Sequence, residues 1–216
     1  MTRLSAVARS LGAACALASL AACDSSAPVA STPGSMAVVS GAESGLFRGA
    51  ELSRPMPMPD VTLKATDGHP FNLITDTTGP VTLLFFGYTH CPDVCPLVMS
   101  DLALAYAELP PAVRAATQVL FVTTDPARDT DEVLRGYLDR YNPSFVGLTG
   151  SLTRIGRAAA DLGVAMTGKK ALPSGGYDVG HGAQVIGFAH DSAPVIWTPG
   201  TPVRDMVADI GRLAGS

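Results

Sequence analysis

The chain has 216 residues, of which 47% are hydrophobic, and its net charge is −4 at pH 7. That length and hydrophobic content suffice for one full core and leave little room for a second. The acidic balance argues against nucleic acid as a partner, because binding to phosphate backbones relies on clustered Lys and Arg. We therefore expect a single folded domain that does not bind nucleic acid.

The first 22 residues have the pattern of an export signal. Arg3 and Arg9 precede an uncharged stretch, residues 10–22, which is short for a membrane-spanning helix. The sequence Leu-Ala-Ala-Cys that ends at Cys23 resembles the bacterial lipobox, in which the cysteine is lipidated and becomes the mature amino terminus. Residues 1–22 are thus predicted to be a lipoprotein signal peptide. The simpler alternative is an ordinary signal peptide cut after a small residue.

Residues 23–46 are predicted to be a flexible tether. They are mostly Ser, Ala, Gly, Pro and Val without clear periodicity. About 25 such residues span roughly 25–30 Å, which keeps a domain near a membrane surface. Export also implies an oxidising compartment, where an unprotected dithiol becomes a disulfide. A thiol reductant is therefore needed if cysteines of this chain bind metal.

The folded part of the chain, residues 47–216, opens with an alternating strand at Val61–Ala65, followed by an Asp-Gly turn. Before it, Met56 and Met58 lie in a Pro-Met-Pro-Met-Pro run. Soft thioether sulfur suits Cu(I), so these residues are candidate copper ligands. We favour the alternative, in which the run is a proline-rich approach to the first strand.

The next segment is read as a buried strand that leads two cysteines to the start of a helix. The apolar run Val81–Phe86 is too short for a helix and is typical of a central strand covered on both faces. Gly87 ends it, and a turn with Cys91 and Cys95, each followed by proline, comes next. Residues with helical spacing then predict one buried helix face: Val98, Leu102, Ala105 and Leu109.

Cys91 and Cys95 lie four residues apart, which places them about 6 Å apart along a helical turn. That separation is within the roughly 4.4–6.8 Å between Cα atoms that a disulfide tolerates. The partial positive charge of a helix amino terminus favours the thiolate, which is both the nucleophile and the metal ligand. The pair can therefore form a disulfide or hold one metal ion, and the remaining alternative is two inert structural cysteines.

A second strand is predicted at Gln118–Thr123, and polar residues follow its carboxyl end. Asp125 and Arg128 lie at the usual functional edge of such a sheet, and we favour a turn clamp between them over direct chemistry. Asp129, with Glu132 three residues on, has the pattern of a capping box for the next helix.

The rest of the chain continues the alternation of strands and helices. A polar, glycine-containing loop is predicted at Lys169–Gly176. The other predicted elements are strands at Phe145–Leu148, Gln184–Phe188 and Val195–Trp197, and helices at Leu152–Leu162 and Val203–Leu213. Two β-α-β steps followed by a hairpin and a helix fit a thioredoxin-like sandwich.

Two histidines are candidates for the neighbourhood of the cysteines. His90 adjoins Cys91, but neighbours on an extended chain point to opposite faces, so we expect it to tune the thiolate charge rather than to bind metal. His181 lies between two glycines immediately before a predicted strand. By itself it is most simply a surface or core histidine.

Two blocks of this sequence resemble the Sco (SenC) family of thioredoxin-like copper chaperones. The first is Phe85–Pro96, with its core Gly-Tyr-Thr-His-Cys-Pro-Asp-Val-Cys-Pro, and the second is Thr124–Thr130. His181 stands where the distant histidine ligand of the family is expected. Gly180 and Gly182 depart from the family pattern, in which Asp and Ser commonly flank that histidine. A carboxylate that holds the imidazole must then come from elsewhere.

The resemblance implies an α/β, thioredoxin-like fold with a central mixed β-sheet flanked by helices. It implies copper, as Cu(I) and also Cu(II), bound by Cys91, Cys95 and His181. The implied task is assembly of the dinuclear copper centre of a cytochrome c oxidase subunit, by copper delivery or by reduction of that subunit's cysteines. With Cys23 lipidated, the protein is expected on the extracytoplasmic face of the bacterial plasma membrane.

The ligand set itself favours copper over other metals. Structural zinc requires four protein ligands, and the predicted domain has no third cysteine. A c-type haem needs a shorter cysteine spacing followed by histidine. The resemblance implies a carrier rather than an enzyme. The alternatives are a thiol-disulfide reductase, in which Cys91 attacks and Cys95 resolves, and a thiol peroxidase.

Overall fold

The computed structural model describes residues 38–39, 45–173 and 175–215. The predicted signal peptide, Cys23 and most of the predicted tether lie outside these residues. The strands are β1 (Val38–Val39), β2 (Ala50–Pro57), β3 (Thr62–Ala65), β4 (Pro70–Asn72), β5 (Val81–Gly87), β6 (Thr117–Thr123), β7 (Val146–Thr149), β8 (Met166–Ala171), β9 (Tyr177–His181), β10 (Val185–Ala189) and β11 (Ser192–Trp197). The helices are α1 (Val94–Glu108), α2 (Pro111–Ala115), α3 (Asp131–Asp139), α4 (Leu152–Asp161) and α5 (Val203–Leu213). Within the described part of the chain, no helix has both the length and the apolar character needed to cross a membrane.

The main sheet is mixed, as expected, with strand order β1-β2-β11-β10-β5-β6-β7-β3-β4. Strands β5, β6 and β7 run parallel, and the other neighbouring pairs run antiparallel. Phe85 of β5 pairs with Phe121 of β6 on one side and with Val185 of β10 on the other. Strand β5 therefore lies at the centre of the sheet, and its carboxyl end meets the start of β10.

Every residue of β5 is buried, which confirms the predicted central strand. Its side chains alternate between two cores because successive residues of a strand point to opposite faces. Leu83 and Phe85 face the core that is formed with α1, α3 and α5. Leu84 and Phe86 face the second core, to which α4 contributes. The sheet is thus covered on both faces, as its continuous apolar run requires.

Helix α1 begins at Val94, directly after the cysteine turn. The predicted apolar face is buried, and Cys95 lies on the same face in the first turn. Pro96 also lies in that turn, where the missing N–H of proline costs nothing because such groups have no partner within the helix. The strand-turn-helix unit that was predicted around the cysteines is therefore confirmed.

Two stretches differ from the prediction. The predicted polar loop at Lys169–Gly176 starts too early, because strand β8 runs to Ala171 and pairs with β9 in a separate two-stranded hairpin. Its turn uses Gly175 and Gly176 at φ of +91° and +79°, values that favour glycine. The proline-rich approach is instead strand β2, which pairs with β11. Proline fits there because, among the described residues, β1 pairs with Glu51 and Leu52 of β2 and leaves the proline-containing end of β2 as an edge.

The methionines of this stretch belong to the hydrophobic core. Met58 is buried in the second core, and Met56 packs against it from the end of β2. Their side chains thus contribute to the packing of the second core.

Candidate metal and redox site

The two cysteines lie at the carboxyl end of β5, where the chain turns into α1. Cys91 and Cys95 are both free thiols and both buried. The backbone N–H of Cys91 donates to the carbonyl of Tyr88 at 3.3 Å, and the N–H of Cys95 donates to the Cys91 Sγ at 3.4 Å. That second donor is one of the N–H groups that a helix amino terminus leaves unpaired. It therefore stabilises negative charge on Cys91.

The environment shifts the pKa values of the two thiols in opposite directions. A hydrogen bond from the Cys95 side chain, together with the N–H groups of Asp93 and Cys95, lowers the pKa of Cys91 to about 5 against the effect of burial. The same contact and burial raise the pKa of Cys95 well above its usual range. At neutral pH Cys91 is thus a thiolate and Cys95 a neutral thiol that donates to it.

His181 approaches the pair from the end of β9. Its Nε2 lies 3.5 Å from the Cys95 Sγ, and its Nδ1 lies 2.9 Å from the carbonyl oxygen of Gly182. A carbonyl only accepts hydrogen bonds, so Nδ1 carries the proton and the Nε2 lone pair faces the sulfur. The partner that orients the imidazole is therefore a backbone carbonyl rather than a carboxylate. The rings of Phe85 and Tyr88 enclose it edge-on, with centroids at 6.4 and 5.7 Å.

These contacts place Cys91 beside Cys95, and Cys95 beside His181. Two ligands that share one ion at about 2.0–2.3 Å lie roughly 3.5–4 Å apart, which the Cys95–His181 distance of 3.5 Å satisfies. Among the described residues, no group of three His, Cys, Asp or Glu side chains is already placed to hold an ion. The three donors fit a copper ion chemically, and binding would have to draw them together.

Asp129 is a residue whose role the sequence pattern misassigned. The predicted capping box is wrong, because Thr130 is the N-cap of α3 and accepts from Val133 N at 3.3 Å. The buried carboxylate of Asp129 instead accepts from Thr89 N at 3.0 Å, from Thr89 Oγ1 at 2.6 Å and from Thr123 Oγ1 at 2.6 Å. It thereby fixes the backbone that leads into Cys91.

His90 belongs to the same polar group and is about half exposed. Its Nδ1 lies 2.9 Å from Thr89 Oγ1 and 3.7 Å from the Asp129 carboxylate. These described contacts join His90 to the network under the turn rather than to a sulfur. Its predicted influence on the thiolate charge stays a prediction.

Asp125 and Arg128 form the predicted clamp. The Arg128 guanidinium pairs with the buried Asp125 carboxylate and donates to the Tyr177 carbonyl at 3.1 Å. The Tyr177 hydroxyl donates to Asp125 at 3.0 Å, and Lys169 lies beside both. The clamp therefore ties the end of β6 to the hairpin that carries His181.

The fold and the site together define a class of protein. A central sheet with parallel strands β5 and β6, a dithiol at the amino terminus of the following helix and helices on both faces are the features of a thioredoxin-like domain. The family model described as SCO1/SenC matches residues 56–215. The chain therefore belongs to the SCO1/SenC family.

The relatives agree with this placement. A protein of Stutzerimonas stutzeri, named provisionally as copper-binding, is 35% identical over 130 residues, which are 60% of this chain and 63% of that protein. The chain also matches Sco proteins of yeast, plant and animals, of which it covers between 27% and 38%. It thus spans less than two thirds of these relatives.

Solved structures share the fold. Apo Sco1 from Thermus thermophilus is 36% identical with a TM-score of 0.69, and the match covers 80% of this chain and 99% of that one. Copper-bound yeast Sco1 is 27% identical with a TM-score of 0.67, and the match covers 75% of this chain and 90% of that one. The predicted thioredoxin-like fold is thereby confirmed.

Proposed function

We propose that this protein is a copper chaperone that binds one copper ion through Cys91, Cys95 and His181. The observation that carries the proposal is the Cys95 Sγ–His181 Nε2 contact of 3.5 Å, made across 86 residues of sequence beside a second thiol. Two thiolates and a neutral imidazole suit soft Cu(I), and copper stands at the top of the divalent affinity order, so the set takes Cu(II) as well. Copper-bound yeast Sco1, which shares the fold, supports the choice of metal.

The three residues contribute different chemistry to this cargo site. Cys91 is already a thiolate and supplies the first ligand without losing a proton. Cys95 must release its proton to bind, so copper uptake is linked to pH. His181 presents the lone pair of Nε2 to the metal because Nδ1 donates its hydrogen to the Gly182 carbonyl. Both thiols must be reduced, which requires a thiol reductant as a partner in an oxidising compartment.

The client that we propose is a cytochrome c oxidase subunit with a dinuclear copper centre. The chain would deliver copper to that subunit or reduce its cysteines. The second candidate function, a thiol-disulfide reductase, is favoured by one observation, the unequal pKa values of Cys91 and Cys95. An activated nucleophile beside a protonated second thiol is the arrangement that such exchange uses.

The test separates these functions at His181. His181→Ala removes one of three copper ligands and leaves both sulfurs, so Cu(I) affinity should fall about 10-fold or more while reduction of a disulfide substrate stays within about twofold. Copper affinity is measured by competition with a chromophoric Cu(I) chelator, and oxidase copper-centre assembly is measured in cells that carry each variant.

Two controls frame this result. Cys91→Ser should abolish both activities, and His69→Ala, an exposed histidine in the turn between β3 and β4, should change neither. Wild-type copper affinity and normal oxidase assembly in His181→Ala would reject the carrier and leave the reductase as the better account. Rapid turnover of peroxide by Cys91 would instead favour a thiol peroxidase.

We also propose that Cys23 is lipidated and anchors the protein on the extracytoplasmic face of the plasma membrane. The lipobox at residues 20–23 supports this. Mass spectrometry of the mature protein should show diacylglyceryl on Cys23, and Cys23→Ala should move the protein to the soluble fraction. An unmodified amino terminus several residues further on would contradict the anchor.

A further inference from the structure

Tyr88 is the point at which the cysteine turn meets the hairpin β8–β9. Its side chain is buried, and its hydroxyl donates to the Asp178 carboxylate on β9. Its carbonyl accepts from the N–H of Cys91, and its ring packs edge-on against the His181 imidazole at 5.7 Å and 87°. Tyr88 therefore contacts the backbone of Cys91, the ring of His181 and the strand β9 that carries His181.

The hairpin depends on such contacts because little else holds it. Strands β8 and β9 form a sheet of their own, so no main-sheet ladder fixes them. Among their described side chains, Val179 alone is buried. Besides the Cys95–His181 contact, described polar contacts join β9 to the cysteine side of the domain from Asp178 to Tyr88 and from Tyr177 to Arg128 and Asp125. Asp178, which accepts the Tyr88 hydrogen bond, lies three residues before His181 in the same strand.

The Tyr88–Asp178 bond is of the strong kind. A hydrogen bond to a carboxylate is roughly twice as strong as one between neutral groups. The Asp178 carboxylate is also oriented from its own strand, because Oδ1 accepts from Val179 N at 3.1 Å. The bond thus fixes the backbone of β9, and through it the place of the imidazole, relative to the turn that holds Cys91.

We propose that Tyr88 and Asp178 are positioning residues, whose hydrogen bond holds β9 so that His181 Nε2 faces the Cys95 sulfur. The inference rests on the proposed copper site and deepens it. Loss of the Tyr88 hydroxyl keeps both sulfurs and the aromatic ring, and it frees the strand that presents the third ligand. It also removes a smaller contact with the Cys91 thiol, which Asp178→Ala leaves in place. The two-sulfur site then remains, and the contribution of the imidazole is lost.

The experiment compares Cu(I) affinity in wild type, Tyr88→Phe, His181→Ala and the double variant, by chelator competition. Tyr88→Phe should lose about 10-fold, most of what His181→Ala loses, since residues that orient a ligand typically contribute 10- to 100-fold. The double variant should bind no more weakly than His181→Ala alone. Non-additivity of this kind marks two residues that act through one ligand.

Variants of Asp178 separate positioning from general damage. Asp178→Ala should match Tyr88→Phe, whereas Asp178→Asn keeps an amide oxygen that accepts from Tyr88 and should retain most of the affinity. The matched control is Tyr106→Phe, which removes a hydroxyl from a partly buried tyrosine of α1 that packs against Phe145. It should bind copper as wild type does.

A second measurement needs no metal. Hydrogen exchange of the reduced apo protein should show faster exchange at the Val179 and His181 amides in Tyr88→Phe and Asp178→Ala, with β5 unchanged. Wild-type affinity and wild-type β9 protection in Tyr88→Phe, alongside weakened His181→Ala, would overturn this inference and leave the copper site standing. If His181→Ala itself binds as wild type, the proposed function fails, and the exchange data alone then decide whether Tyr88 and Asp178 hold β9.

Discussion

At the scale of single residues, Cys91 and Cys95 show how one turn creates two kinds of thiol. The sequence predicts the pair from its spacing and from its place before a helix, and it also predicts a lowered thiol pKa at a helix amino terminus. The reductase alternative names Cys91 as the attacking thiol, but the spacing does not explain why Cys91 rather than Cys95 is the thiolate. That follows from the direction of the contacts, since the N–H and the thiol of Cys95 both donate toward Cys91.

Alkylation of the reduced protein should reveal this asymmetry. Cys91 should react with iodoacetamide at a rate that rises with pH to a plateau, with a midpoint at about pH 5, because its pKa lies at about 5 and only the thiolate reacts. Cys95, buried and with a raised pKa, should remain unlabelled up to pH 9. Mass spectrometry of labelled peptides gives both rates. Cys95→Ala removes the main cause of the lowered pKa, so the alkylation midpoint of Cys91 should move up toward the ordinary value for a thiol. Equal midpoints near pH 9 for Cys91 and Cys95 in the wild type would refute the assignment.

Asp129 marks the limit of prediction for a single residue. An Asp followed three positions later by Glu, just before an apolar helix face, has the pattern of a capping box. Thr130, the next residue, is an equally good cap, and it leaves Asp129 free to bond Thr89 and Thr123. A pattern local to the helix holds no information on hydroxyls that arrive from β6 and from the cysteine turn.

At the scale of elements, the central strands were predictable and the hairpin β8–β9 was not. Strand β5 reads clearly because both faces are buried, so its residues form one apolar run. In β8 nearly every side chain is exposed, so no alternation of polar and apolar residues identifies a strand. Its pairing with β9 comes from the glycine turn and from tertiary contacts such as Arg128 to the Tyr177 carbonyl.

Helix α5 is joined to the start of the domain by one buried carboxylate. Asp209 accepts from the backbone N–H groups of Arg48 and Gly49, both at 2.8 Å, and from Trp197 Nε1 at 3.0 Å. Arg212 lies 3.2 Å away and completes the set. Four donors thus converge on a side chain that is 0% exposed, so the carboxylate holds together β11, α5 and the segment before β2.

Asp209→Asn should therefore lower the free energy of unfolding by about 2–4 kcal/mol, because an amide group offers one acceptor oxygen and places N–H donors against N–H donors. Urea unfolding followed by circular dichroism measures the change. Asp205→Asn on the same helix is the matched control. Its ion pair with Arg48 is more exposed, so the loss should stay below about 1 kcal/mol. Equal losses of unfolding free energy in the two variants would show that the buried contacts of Asp209 stabilise the protein no more than the exposed ion pair of Asp205.

At the scale of the whole molecule, topology brings the two parts of the site together. Cys91 follows β5, whereas His181 precedes β10, and these strands are antiparallel neighbours in the sheet. The chain that enters β10 therefore passes the carboxyl end of β5, where Val185 pairs with Phe85. The sequence orders the strands well enough to predict the fold, but this proximity depends on which strands pair. The family resemblance supplied that information for His181.

The same topology predicts how oxidation acts on the whole protein. Both cysteines lie within one turn after the carboxyl end of β5. A Cys91–Cys95 disulfide therefore closes a small ring and leaves β5, α1 and both cores in place. Far-ultraviolet circular dichroism should be unchanged by oxidation. Copper binding should be lost on oxidation, since the disulfide consumes both sulfur ligands and His181 alone does not hold Cu(I) tightly.

We therefore expect the reduced protein to bind about one copper ion and the fully oxidised protein to bind none at this site, with recovery after treatment with a dithiol reductant. Metal content after gel filtration and the sulfur-to-copper charge-transfer absorption measure the loss. Cys95→Ser, which cannot form the disulfide, is the control. Its copper binding should be weaker than that of the wild type, and an oxidant that closes the disulfide in the wild type should not abolish it. Stoichiometric copper in protein whose mass proves complete disulfide formation would place the metal away from Cys91 and Cys95.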